Sequence, residues 1–193
     1  PGATSANVTF SVVNDTLFEG DETVILTLGA PTNADAGATM VHTVTIADDD
    51  LAPTVQFATQ SQDAGEAVGS VTVAVNLSAA SGQSVSVTYT VSGTAVNPAD
   101  HDLDAGFFTI PAGSTDASVT FGIVNDTSPE PNETVVLTLG APVNATLGAI
   151  FTHTVTIQDN DTPTVAFSAS SQSRAESIGS VTVTVNLSST SGV

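Results

Sequence analysis

Residues 69–78 read GSVTVAVNLS, and residues 179–188 read GSVTVTVNLS. Within the first stretch, Val71, Val73 and Val75 alternate with polar or small residues. A period of two places these apolar side chains on one face of an extended strand and predicts a strand that is buried on one side. The close copy 110 residues later indicates an internal repeat the length of a small domain.

The repeat extends over nearly the whole sequence. VNDTLFEGDETVILTLGAP (13–31) returns as VNDTSPEPNETVVLTLGAP (124–142), and HTVTIADDD (42–50) returns as HTVTIQDND (153–161). The offset is 111 residues before residue 50 and 110 after it, so the length difference falls at a junction between units. We therefore predict a first segment, 1–50, with the last three strands of one unit; a middle segment, 51–161, that is a complete unit; and a last segment, 162–193, with the first two strands of another.

The middle segment contains seven stretches in which apolar and polar residues alternate, with enrichment in β-branched residues and no helical spacing. The predicted strands are TVQFA (54–58), SVTVAVNL (70–77), SVSVTYTV (84–91), GFFTI (106–110), ASVTFGIV (117–124), TVVLTL (134–139) and FTHTVTI (151–157). Seven strands in one unit predict an all-β chain of tandem seven-stranded antiparallel β-sandwiches of the immunoglobulin-like type.

Composition excludes several functions. Arg174 is the only Lys or Arg against 20 Asp and Glu, and the net charge of −19 argues against nucleic acid or anionic membrane as a partner. No apolar run approaches the length of a membrane span, so no membrane insertion is expected in this segment. The absence of Cys excludes disulfides, thiolate metal sites and Cys nucleophiles, and a metal is a common alternative staple.

The acidic residues of the middle segment are predicted to meet at one pole. In an antiparallel sandwich, the loops after the first, third and fifth strands lie at the same end as the residues after the seventh. The acids in these places are Glu66, then Asp100, Asp102 and Asp104, then Asp126, Glu130 and Glu133, and finally Asp159 and Asp161. Two carboxylates about 5 Å apart repel by about 3 kcal/mol at an effective dielectric constant of about 20. Carboxylates without His or Cys favour a hard cation, and the number of oxygens suits more than one calcium ion; a solvated acidic face is the alternative.

The segment resembles a Calx-beta domain, the calcium-binding sandwich of sodium–calcium exchangers. The resemblance lies in GTA followed by Asp100, PAGS (111–114), the loop ND…E…NE (125–133) and the final DND (159–161). It implies calcium ligands in all three segments. With Asp102 and Asn125 from the same loops, the candidate ligands are Glu66, Asp100, Asp102, Asn125, Asp126, Glu130, Asp159, Asn160 and Asp161 in the middle segment, Asp15, Glu19, Asp48, Asp49 and Asp50 in the first, and Glu176 in the last.

Two departures from the first segment lower the charge of the middle site. SPEPNE replaces LFEGDE, which removes the acid that matches Asp21, and Asn160 replaces Asp49. The middle site is therefore expected to bind fewer ions, or to bind them more weakly, than the site of the first unit.

The histidines do not indicate catalysis. His42 and His153 occupy one repeated position and are expected to be structural, and His101 is expected to be a solvated loop residue. No G-x-S-x-G nucleophile elbow and no Gly-rich phosphate loop occurs, so we do not expect an enzyme.

The junctions suggest a mechanical function. Only Thr162 separates Asp161 from Pro163, which leaves no flexible linker. We expect a calcium-binding repeat segment of a large extracellular or cell-surface protein of a bacterium, in which calcium between neighbouring repeats stiffens an adhesin-like stalk. The alternatives are a segment of a self-assembling extracellular filament and, less favoured, an intracellular calcium-sensor domain.

Overall fold

The computed structural model describes residues 2–189. The strands are β1 (Glu22–Thr27), β2 (Val41–Ile46), β3 (Thr54–Phe57), β4 (Ser61–Gly65), β5 (Ser70–Leu77), β6 (Val85–Gly93), β7 (Gly106–Ile110), β8 (Asp116–Gly122), β9 (Glu133–Leu139), β10 (Thr146–Leu147), β11 (Thr152–Gln158), β12 (Val165–Phe167) and β13 (Val185–Leu187). Two 3-10 helices span Glu66–Val68 and Glu176–Ile178. Among the described residues, no helix is long and apolar enough to cross a membrane.

The middle segment forms two sheets around one apolar core. One sheet has the strand order β10-β3-β5-β8, and the other has the order β4-β11-β9-β6-β7. In β5 the buried residues alternate with exposed ones along the whole strand, as the sequence predicts. Val73 and Val75 of β5 and Val135 and Leu137 of β9 are fully buried in the same core. The all-β sandwich is therefore confirmed.

Two strands were not predicted. β4 pairs in parallel with β11, and the short β10 pairs in parallel with β3. The chain leaves one sheet after β3 and joins the other as β4, whose sequence SQDAG has no β-branched residue and no apolar alternation. Pairing with β11, rather than local propensity, determines this strand. Its register places Gly65 opposite Gln158, so that Glu66 lies beside the residues that follow β11.

Two buried histidines fix the chain around this core. The His153 side chain is 1% exposed, and its Nδ1 lies 2.8 Å from the carbonyl oxygen of Thr59, in the crossing between β3 and β4. His101 is 3% exposed, and its Nδ1 accepts a hydrogen bond from the Leu103 N–H at 3.1 Å. The prediction that His101 is solvated is wrong, because its loop folds back and His101 forms a bridge with Ile123.

The first and last segments each contribute one antiparallel strand pair, β1–β2 and β12–β13. Val24 matches the fully buried Val135 but is only half-buried, because in the described residues no second sheet covers β1. The first segment nevertheless contacts the middle one, since Phe18 forms a bridge with Ser81.

The two equivalent histidines allow a matched test of the crossing between sheets. We expect His153→Ala to lower the free energy of unfolding by about 2 to 3 kcal/mol, because it removes a buried ring and a hydrogen bond. His42→Ala, at the exposed equivalent position, should change it by less than about 0.5 kcal/mol. Urea unfolding followed by circular dichroism measures both, and equal effects would contradict the anchoring role of His153.

Candidate metal centre

Six carboxylates of the middle segment form two groups at one pole. Cluster 1 is Glu66, Asp126 and Asp161, and cluster 2 is Asp100, Glu130 and Glu133. Within each cluster, one oxygen of every side chain lies within 4.8 Å of the others. The sequence offers no Lys or Arg between residues 1 and 173 to neutralise them. Like charges this close favour a cation between them.

Three distant stretches of the chain build cluster 1. The parallel pairing of β4 with β11 places the 3-10 helix that starts at Glu66 next to the residues after β11, among them Asp161. Asp126 follows the end of β8, and its backbone N–H donates to Oε1 of Glu66 at 3.1 Å. Cluster 1 therefore depends on the crossing of the chain from one sheet to the other between β3 and β4.

Two carboxylate oxygens of cluster 1 are buried without a hydrogen-bond partner. Glu66 is 7% exposed, and its Oε2 has no partner among the described residues. Oδ2 of Asp161 is also buried and unpartnered. A buried carboxylate oxygen without a donor is costly unless a cation binds it. The donor set thus fits a hard cation held by oxygen ligands.

A small cavity adjoins both clusters. Its volume is ≈ 10 Å³, and its lining includes Glu66 of cluster 1 together with Asp100, Glu130 and Glu133 of cluster 2. Asp159 also lines it. This volume is about that of one water-sized sphere, so the space suits a single ion or water molecule.

Electrostatics mark cluster 2 as a site that holds a proton when no metal is bound. Burial, a hydrogen bond with Asp100 and repulsion from Asp100, Glu130 and Glu66 together raise the pKa of Glu133 to about 7. Burial and repulsion from Asp126 and Asp100 also raise the pKa of Glu130 above its usual value. A metal ion would have to displace the proton at Glu133.

Glu133 is absent from the ligand set that we predicted from the sequence. Two signals could have identified it. It matches Glu22 at the 111-residue offset, and it shares the parity of Val135 and Leu137 on β9. A residue of this parity lies on the core face of the strand, which explains its desolvation.

The other predicted residues of the middle segment have different positions. Oδ1 of Asn125 accepts a hydrogen bond from Nδ2 of Asn160 at 2.8 Å, so the residues that precede Asp126 and Asp161 contact each other. Asp102 belongs to neither cluster. Its Oδ1 accepts from the Gly122 N–H at 2.7 Å and so holds its loop against β8.

The substitution of Asn132 for Asp21 preserves a structural hydrogen bond. Oδ1 of Asp21 accepts from the Asp48 N–H at 3.2 Å, and Oδ1 of Asn132 accepts from the Asp159 N–H at 3.2 Å. An amide oxygen replaces a carboxylate oxygen without loss of the contact. This position therefore fixes the final acidic triplet, which explains how the charge can be lost there.

The acids of the first segment line a wider cavity. Its volume is ≈ 90 Å³, and its lining contains every predicted acid of that segment together with Glu22, namely Asp15, Glu19, Glu22, Asp48, Asp49 and Asp50. Repulsion from Asp15, with burial, raises the pKa of Glu19, while burial and repulsion from Asp48 raise the pKa of Asp50. Hydrogen bonds from the Gly20 and Glu19 N–H groups lower the pKa of Asp48.

No three carboxylates of the first segment approach as closely as those of the middle segment, and Glu176 belongs to no such group among residues 2–189. Glu176 starts the 3-10 helix that matches the one at Glu66 but is exposed. Within the described chain, the compact arrangement therefore occurs in the middle segment alone.

The raised pKa of Glu133 gives a pH dependence with a definite sign. Folded metal-free protein holds this proton more tightly than unfolded protein, so the stabilisation is complete below the unfolded pKa of about 4.5 and is lost as the pH rises through about 7. We expect the Tm measured with chelator to fall between about pH 5.5 and pH 8. Glu133→Gln should make this fall much smaller, while Asp116→Asn, in the first residue of β8, should leave it unchanged. An unchanged Tm in the parent chain would contradict the assignment.

Comparisons with known proteins place this geometry in a family. The Calx-beta domain profile matches residues 1–50, 48–161 and 158–192. The structure of the apo-form Calx CBD1 domain is similar at a TM-score of 0.53 and 23% identity, over 56% of this chain and 98% of that one. CBD12 from CALX1.2 and the calcium binding domain CBD12 of CALX1.1 are each similar at a TM-score of 0.53 and 24% identity, over 61% and 64% of this chain.

The chain spans about half of each CBD12 structure, 48% and 53%. At these identities the structural likeness supports the fold, whereas the profile matches nearly every residue. Curated protein sequences give no significant match. The extent of the profile match, on a β-sandwich with an acidic pole, shows that the chain belongs to the Calx-beta domain family.

Proposed function

We propose that the chain is a calcium-binding structural repeat segment of a large extracellular or cell-surface protein, in which calcium at the joints between repeats stiffens an adhesin-like stalk. The observation that carries the proposal is cluster 1. Asp161 lies in this cluster beside the buried Glu66, and it is also the last residue of the middle segment. A cation held there binds the chain at the point where it leaves one repeat for the next.

The ligand chemistry supports calcium as the cation. Calcium takes six to eight oxygen ligands, and the two clusters supply six carboxylates before backbone oxygens or water are counted. Asn125 and Asn160 precede Asp126 and Asp161 in sequence and add two side-chain amides to the same loops. Magnesium is a poorer fit because it requires near-ideal octahedral geometry and usually retains several waters. One structural neighbour, CBD12 of CALX1.1, is described as a calcium binding domain, which agrees with this choice.

Repulsion and attraction at the pole would determine the stiffness of the joint. Without a cation, Glu66, Asp126 and Asp161 repel one another and push the exit of the chain away from the sandwich. With a cation, the same carboxylates converge and fix the direction of the peptide that enters Thr162. Pro163 in turn restricts Thr162 to extended conformations. The segments 1–50 and 162–193, as parts of neighbouring repeats, would be held in line.

The composition supports a non-catalytic role outside the cell. A Cys-free, strongly acidic chain has no disulfide to staple it, and calcium at the concentrations outside cells can supply the stabilisation instead. We place the protein on a bacterial surface or among secreted bacterial proteins, with neighbouring repeats as its principal partners. Self-assembly into a filament is the alternative.

Removal of single carboxylates should weaken calcium binding at the middle site. We expect Glu66→Gln and Asp161→Asn each to lower the calcium affinity of this site by about tenfold or more in calorimetric titration. Asp116→Asn serves as the matched control, because it removes one negative charge outside both clusters. Equal affinities in all three variants would exclude cluster 1 as a ligand group.

The stiffening can be measured by small-angle scattering with calcium and with chelator. We expect a narrower distribution of end-to-end distances and a larger maximum dimension with calcium, because the joints align. No change on chelation would refute the stiffening. Growth of the scattering mass with protein concentration would favour the filament alternative, and saturation by micromolar calcium would favour a sensor.

A further inference from the structure

The first and middle segments contact each other through loop 17–20 and turn 81–83. The carbonyl oxygen of Phe18 accepts hydrogen bonds from the Gly82 N–H at 3.0 Å and from Oγ of Ser81 at 3.0 Å. The side-chain amide of Gln83, through Nε2, donates to the carbonyl oxygen of Glu19. Two consecutive carbonyl groups of the loop are thus bound by three consecutive residues of the turn.

Ser81 is buried and takes part in hydrogen bonds through both its side chain and its backbone. Its side chain is 1% exposed, its Oγ accepts from the Gln83 N–H at 3.1 Å, and it donates across the junction to Phe18. The carbonyl oxygen of Ser81 accepts from the Gly113 N–H at 2.8 Å, which fixes the turn to its own pole of the sandwich. Without loop 17–20, the buried hydroxyl would lose the acceptor that it has in the structure.

Loop 17–20 and turn 81–83 each have a glycine at a point where the two segments approach each other. A Cβ on Gly82 would lie 2.5 Å from Cγ of Glu19, and a Cβ on Gly20 would lie 2.7 Å from Nε2 of Gln83. Gly20 also has a φ of +85°, a left-handed backbone conformation that residues with a side chain rarely adopt. Loop 17–20 and turn 81–83 are therefore complementary in backbone shape as well as in hydrogen bonding.

At the second junction the sequence retains Ser191 and Gly192 in the places of Ser81 and Gly82 but loses the other features of this contact. Pro129 and Pro131 replace Phe18 and Gly20 at the 111-residue offset, and Val193 replaces Gln83 at the 110-residue offset. Proline holds φ near about −65°, so Pro131 cannot adopt the conformation of Gly20. Val193, which lies outside the described residues, has no side-chain donor by its chemistry.

We infer that turn 81–83 is a docking surface for a preceding unit whose loop has glycine at the position of Gly20, and that the two junctions of this chain are not equivalent. The first junction is fixed by direct contact between the units, and the second lacks the loop glycine and the turn glutamine that take part in this contact. The inference rests on the proposed stalk only for its mechanical consequence, a rod with joints of unequal stiffness.

Amide hydrogen exchange measured by NMR on the full chain tests the inference, with the Gly82 amide as the reporter. The first variant replaces the loop by its counterpart, as Leu17→Ser, Phe18→Pro, Gly20→Pro and Asp21→Asn, and retains Asp15, Glu19 and Glu22. The second variant is Gln83→Val, which leaves the first segment intact. The matched control is Gln60→Val, at an exposed glutamine whose backbone carbonyl oxygen accepts a hydrogen bond from the Thr154 N–H.

We expect the Gly82 amide to exchange about tenfold faster or more in both variants and at the parent rate in the control. The Ile123 amide, which donates to the carbonyl oxygen of Gly69, should remain protected and show that the middle sandwich is folded. Unchanged Gly82 exchange in Gln83→Val and in the loop replacement would overturn the inference.

Exchange is measured with chelator as well as with calcium, which separates this inference from the proposed function. Faster Gly82 exchange in the variants with chelator supports the docking surface even in a chain that binds no calcium. Variants that exchange like the parent chain in both conditions refute it, even if calcium binding is intact.

Discussion

Repulsion between carboxylates that have no basic partner is the constraint on which the rest of this structure depends. In the middle segment, three loops and the residues after β11 place acids at one pole. The only Arg in the chain lies in the last segment. Isolated surface charges could rotate apart into solvent, but Glu66 is held almost completely buried. Folding therefore creates a negative site before any ligand arrives, and binding of a cation is coupled to the stability of the sandwich.

The sequence was most informative where structure is local. The alternation in β5 and β9 predicted both the strands and their buried faces, because the period of a strand is a property of the backbone. The gathering of acids at one pole also followed from simple topology, since antiparallel strands return alternate loops to the same end. The repeat provides a second example of each position, and comparison of the loop in the first segment with that in the middle segment shows which acids are retained.

The sequence was least informative where pairing between distant strands determines the structure. SQDAG has no strand propensity, yet its pairing with β11 brings Glu66 to Asp161. The division of the acids into two clusters follows from that crossing and could not be read from spacing. His101 is buried because its loop folds back on Ile123, a tertiary contact with no local signature. The position of Glu133 could have been predicted from its parity on β9, but acidic residues rarely lie at the edge of a core.

The parallel pairing of β4 with β11 has a consequence for mechanical load. Tension along a chain of such units would enter a unit near its first strands and leave it after β11. Because the two strands run in the same direction, tension enters and leaves their five-pair ladder, from Ser61 opposite Thr154 to Gly65 opposite Gln158, at opposite ends. The hydrogen bonds of the ladder are then sheared together, whereas an antiparallel pair pulled from one end would open bond by bond. The strand that brings Glu66 to its site thus also joins the two ends of the unit in the geometry that best resists being pulled apart.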